Sequence, residues 1–148
     1  MRLGKRKATR KRWLIPLLGL ITGCGAARAQ DVIFVANVGV QISTIKASDL
    51  HAIFTGEKTR LADGTHVVPV ILKGGPVHEV FLKNYCGESP NEFRAQWQKA
   101  VFTGQGSMPR AFESEAAVID YVAQTPGAVG YVSRLSPHDG VKALTALK

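Results

Sequence analysis

Eight of the chain's 19 lysine and arginine residues, and none of its 11 acidic ones, fall in the first 29 positions, so the part that has to fold begins only after them. Arg2, Lys5, Arg6, Lys7, Arg10, Lys11 and Arg12 make a basic stretch, Trp13 to Ile21 a short apolar one containing Pro16, and Ala27-Arg28-Ala29 an A-x-A cleavage site. This is the order of a secretory signal peptide. The apolar run is far shorter than the roughly 20 residues of a membrane-spanning helix. The expectation is therefore export and removal of residues 1–29, with no permanent membrane span. Ile21-Thr22-Gly23-Cys24 also has the form of a lipoprotein signal, in which Cys24 is acylated and anchors the new N-terminus to a membrane. Either processing route places the chain in the periplasm or cell envelope. Thr9 to Leu14 is similar to a twin-arginine signal with lysine at one arginine position, a match that basic leaders produce by chance.

Residues 30–148 carry 11 basic against 11 acidic groups, a net charge near zero. The pI of about 9.8 belongs to the leader, and the folded part offers no basic field that would call for nucleic acid as a partner. After residue 29 the only cysteine is Cys86, so a chain cut there forms no internal disulfide and rests on packing alone. A chain of this size is large enough for one apolar core.

Hydrophobic patterning sets the elements. Val32 to Ala36 is a β-branched run apolar on both faces, as in a strand inside a sheet. Ser48 reads as an N-cap for a helix bearing Leu50, Ile53 and Phe54, stopped by Gly56. Val67 to Leu72 reads as a second buried strand, with Pro69 pointing to an edge or a bulge. Gly74-Gly75-Pro76 opens a helix whose Val77, Val80, Phe81 and Tyr85 share a face. Ser89-Pro90-Asn91-Glu92 is a capping box ahead of Phe93, Trp97, Ala100 and Val101. Ser114 caps a helix with Val118, Tyr121 and Val122 buried, which Pro126-Gly127 ends. Ala128 to Val132 and Val141 to Leu144 read as the last strands. Strands separated by helices imply an α/β sheet covered on both faces, with right-handed crossovers between parallel strands.

Residue chemistry adds few candidates. His51, His66, His78 and His138 have no spacing that pairs them on one helix face, and neither a metal site nor a cofactor is expected. Cys86 reads as a small buried hydrophobe. Gly104-x-Gly106 lacks the spacing of a dinucleotide fingerprint and reads as a turn. Glu113 and Glu115 flank the cap Ser114, where negative charge suits the helix dipole. Trp97 and Tyr131 belong to apolar runs and read as core.

Two segments carry a resemblance. Asp49 to Arg60, Asp-Leu-His-Ala-Ile-Phe-Thr-Gly-Glu-Lys-Thr-Arg, resembles the L-x-x-I-F-x-G-K-x-x-x-W segment of PstS-like phosphate-binding proteins of ABC transporters, with Leu61 near the family's Trp. Thr125 to Val132, Thr-Pro-Gly-Ala-Val-Gly-Tyr-Val, is similar to its x-P-G-A-I-G-Y-V, and Val68 to Phe81 to its strand followed by R-x-D-G-S-G-T-x-x-x-F. The resemblance covers nearly all of residues 32–144. It implies a single lobe of the two-lobed type 2 periplasmic-binding-protein fold, a mixed, mostly parallel sheet with helices on both faces.

The family holds an oxyanion between its lobes, partly at a helix N-terminus, and the resemblance places that helix start at Lys73, Gly74, Gly75, Val77 and His78. Here the family's Arg falls at Ile71, its Asp at Lys73, its Ser at Gly75 and its Thr at Val77, so guanidinium and hydroxyl ligands are replaced by a backbone nest and one lysine. The implied function is a non-catalytic, exported solute-binding module that contacts phosphate or another oxyanion weakly, its missing lobe supplied by a protein partner or a second copy. The alternative is an envelope protein-interaction module that kept the fold and lost the ligand.

Overall fold

The computed structural model describes residues 31–148. The leader, the Ala29 cleavage site and Cys24 lie outside the described residues. Six strands, β1 (Val32–Ala36), β2 (Thr44–Lys46), β3 (Val68–Leu72), β4 (Arg110–Phe112), β5 (Ala128–Ser133) and β6 (Lys142–Leu147), form one sheet in the order β2-β6-β1-β5-β3-β4. Four helices, α1 (Ala47–Phe54), α2 (Pro76–Phe81), α3 (Pro90–Phe102) and α4 (Glu115–Gln124), accompany it. Pairings β2–β6, β3–β4 and β3–β5 are parallel, and β1 is antiparallel to both β5 and β6. The sheet is mixed and mostly parallel, as the alternation of strands and helices implies.

Both sheet faces are covered, and the register shows how. Phe34 of β1 lies opposite Tyr131 of β5, and both point toward α1 and α2, where Phe34 meets Phe54 and Phe81 edge-on or tilted and Tyr131 stacks on Phe81 with ring centroids 3.9 Å apart. The next residue of β5, Gly130, points the other way, since side chains alternate along a strand. A Cβ there would stand 2.9 Å from Val118 of α4 and 2.8 Å from Val70 of β3. Glycine at 130 thus lets α4 lie directly on the sheet. Asn37, buried at the end of β1, donates from Nδ2 to the carbonyls of Val122 (2.9 Å) and Ala123 (3.1 Å) and accepts from Gly39 N–H through Oδ1. It satisfies carbonyls at the end of α4 that the helix itself leaves free.

Several local expectations change. Ser48 is not the cap of α1: β2 runs straight into the helix, Lys46 takes the cap position without a side-chain bond, and Asp49 instead pairs with Lys58 at 2.6 Å. Pro69 does not mark an edge or a bulge, because β3 lies between β5 and β4. Val68 N–H donates to Gly127 on the β5 side, so position 69 faces the β4 side, and β4 begins only opposite Val70. The missing N–H of proline therefore costs no ladder bond. In α3, Phe93 and Trp97 are buried but Val101 is 48% exposed, since the last turn runs past the point where Trp97 Nε1 donates to the Phe54 carbonyl at 3.0 Å. The capping box of α3 forms in both directions, Ser89 accepting from Glu92 N–H and Glu92 from Ser89 N–H. Helix α2 widens into a π-helical turn over Leu82–Cys86, closed by Gly87.

Candidate functional site

The site is built at the carboxyl ends of two adjacent parallel strands. β3 ends at Leu72 and is followed by Lys73, Gly74, Gly75 and the first turn of α2; β4 ends at Phe112 and is followed by Glu113, Ser114 and α4. Two helix N-termini therefore open side by side. Gly75 caps α2 with φ of 94°, a left-handed conformation that glycine adopts without strain, and Pro76 takes the first helical position. Pro76 has no N–H, so the unpaired donors of this start are the backbone N–H groups of Val77 and His78. At the other start Ser114 accepts from Ala117 N–H at 3.2 Å, and Glu115 accepts from Ser133 N–H on β5 at 2.7 Å. A shallow cavity of about 200 Å³ lies between them, lined among others by Gly74, Gly75, Glu113, Ser114 and Glu115.

Of the five residues that sequence reasoning assigned, the structure brings Gly74, Gly75 and Val77 to this cavity. Lys73 is beside it, with its ammonium 2.5 Å from Glu113 Oε1. Both partners are largely exposed, so the pair itself contributes at most about 1 kcal/mol to folding, but it places a carboxylate against the one cation of the site. Its place beside the Ser114 cap explains Glu113 only locally; the β3–β4 pairing that puts it opposite Lys73, 40 residues earlier, has no local sequence signal.

The His78 side chain departs from the helix start and enters the core, where it is 4% exposed. Its Nδ1 lies 2.5 Å from the Tyr131 hydroxyl, which also accepts from Leu72 N–H at 3.2 Å. His78 is not among the residues that line the cavity. Desolvation holds its pKa below the ordinary histidine range, with Glu79 opposing and Arg94 assisting, so the ring is neutral at pH 7. Burial likewise raises the Tyr131 phenol, opposed by its bond from Leu72 N–H. Burial, assisted by Glu88, pushes the Cys86 thiol up to about 12, which keeps it protonated and unreactive. Among the described residues no group of three or more His, Cys, Asp or Glu is placed to hold a metal, and no helix is long and apolar enough to cross a membrane.

No family model matches the sequence, and no curated protein does. Solved structures do. An ABC-type phosphate transport receptor from Vibrio cholerae superimposes with a TM-score of 0.52 at 15% identity, over 78% of this chain and 45% of its own. A phosphate ABC transporter substrate-binding protein with bound phosphate from Clostridium perfringens gives 0.62 at 15% identity, over 78% and 44%. PstS from Borrelia burgdorferi gives 0.56 at 16% identity, over 78% and 46%. The chain spans less than half the length of each of these proteins. At such identities the likeness is one of fold, and the six-stranded mixed sheet with its four helices matches a single lobe of a PstS-like periplasmic binding protein.

Proposed function

We propose that the chain is an exported solute-binding-like module that contacts phosphate or another oxyanion weakly where α2 and α4 begin. The observation that supports this is the pair of helix N-termini at the carboxyl ends of adjacent parallel strands, the place where open α/β sheets present ligands and where free N–H groups and helix dipoles favour an anion. The carboxylates of Glu113 and Glu115 line the same cavity and oppose an anion, and Lys73 is engaged by Glu113. Without a second lobe to exclude water, each contact works at high dielectric and is screened by salt. Calorimetry of the full chain is expected to give a phosphate dissociation constant on the order of millimolar or weaker, about −4 kcal/mol. Lys73→Ala should weaken it further, and Glu113→Gln, which frees the ammonium and removes a repelling charge, should strengthen it several-fold. Two variants without effect would place the anion elsewhere.

A micromolar constant would make this lobe a competent phosphate site by itself. The engaged Lys73 is also what favours the second reading, an envelope module whose cleft edge binds protein, with a partner or second copy completing the lobe pair. Phosphate binding that strengthens on adding that partner would join the two readings. Export itself is tested by mass: protein recovered from the envelope should begin after Ala29 or at a lipid-modified Cys24, and an intact Met1 end would contradict it.

A further inference from the structure

A second concavity lies on the α3 side of β3; it shares Leu72 with the first and is also lined by Lys73, whose ammonium is held by Glu113, but the rest of its chemistry is different. It measures about 240 Å³, below the roughly 300–1,000 Å³ of drug-sized sites, and its wall is apolar through Ile71, Phe93 and Met108. His78 and the exposed Arg94 line it as well.

The orientation of the histidine follows from its partners. The Tyr131 oxygen already accepts from Leu72 N–H, and among the described residues the acceptor within reach of its own proton is His78 Nδ1. Tyr131 therefore donates to Nδ1, and the neutral ring carries its proton on Nε2. Among the described residues every fully buried side-chain nitrogen or oxygen has a hydrogen-bond partner, whereas Nε2 has none among them. Nε2 is thus reached from the cavity, a donor on a side chain more than nine-tenths buried. Arg94, whose charge acts on the same imidazole, makes no ion pair among the described residues.

We propose that this pocket binds a small organic carboxylate, one oxygen accepting from His78 Nε2–H, the charge paired with Arg94, and the apolar body against Ile71, Phe93 and Met108. A bare inorganic anion would leave that wall uncovered, and a neutral apolar molecule would leave Nε2 and Arg94 without partners. The inference does not depend on oxyanion binding at the helix starts, where phosphate would move the backbone amides of Val77 and His78 and not the ring.

The test is an imidazole nitrogen–proton correlation spectrum of the full chain with labelled histidine, titrated with sodium benzoate. His78 is assigned with His78→Gln. The free protein should show the Nε2–H tautomer, and benzoate should shift the His78 ring saturably while leaving His51, His66 and His138 in place. Benzyl alcohol and inorganic phosphate should each act at least about tenfold more weakly, and Arg94→Gln, a change at an exposed position, should weaken benzoate by about tenfold, the loss of one charge-assisted contact. An unmoved His78 ring, the Nδ1–H tautomer, an equal response to alcohol or phosphate, or an Arg94→Gln variant that binds as well as the parent would each overturn the proposal.

Discussion

Alanine at position 127 is expected to cost about 3–5 kcal/mol of folding stability, the high end of single-substitution effects. Gly127 has φ of 76°, and a Cβ there would stand 2.2 Å from the His66 carbonyl oxygen, a backbone atom that no rotamer change can move aside. The same residue accepts from Val68 N–H at 2.9 Å, at the point where β3 and β5 begin to pair. Relief of the clash must therefore open the first rung between two central strands. Gly64→Ala supplies the internal comparison: φ is 85° and nothing lies within 4 Å of its Cβ, so only the left-handed strain of about 1–2 kcal/mol should appear. Urea unfolding of both variants gives the difference, and equal losses would show that the clash is relieved without cost.

Phe81→Ala is expected to lose about 3–5 kcal/mol by leaving a cavity in the core. The ring is fully buried, stacks on Tyr131 at 3.9 Å and meets Phe54 at 4.8 Å and Phe34 at 6.1 Å in edge-to-face geometry. It thus joins α2, α1, β1 and β5 in one contact set. Against a total stability of about 5–15 kcal/mol for a domain, this removes a large share, and the unfolding midpoint should fall while Phe81→Leu, which keeps most of the volume, should lose less than about half as much. An alanine variant as stable as the leucine one would mean that the neighbouring rings collapse into the space.

Much of the fold is legible in the chain because the physics concerned is local. Runs such as Val32 to Ala36 and Ala128 to Val132 are apolar on both faces, and only a strand covered on two sides buries them. Ser89 with Glu92, and Ser114, sit at helix starts because a side-chain oxygen three residues before a free N–H satisfies it whatever the rest of the molecule does. The sequence by itself thus determined the alternation of strands and helices, the three central strands, the glycine-proline start of α2, and the burial of Trp97, Tyr131 and Cys86.

What only the tertiary structure decided depends on partners far away in the chain. β2 and β4 are three residues long, too short for any periodicity, and exist because β6 and β3 offer them ladders. Lys73 meets Glu113 only because β3 and β4 are parallel neighbours that bring the following turns together. His78, three residues past Gly75, was placed at the helix start by sequence position; the helix turn carries its side chain into the core, where a hydroxyl 53 residues away fixes its proton. Short-range spacing specifies which groups a helix offers, and long-range strand pairing decides which of them face solvent, a counter-charge or a buried pocket.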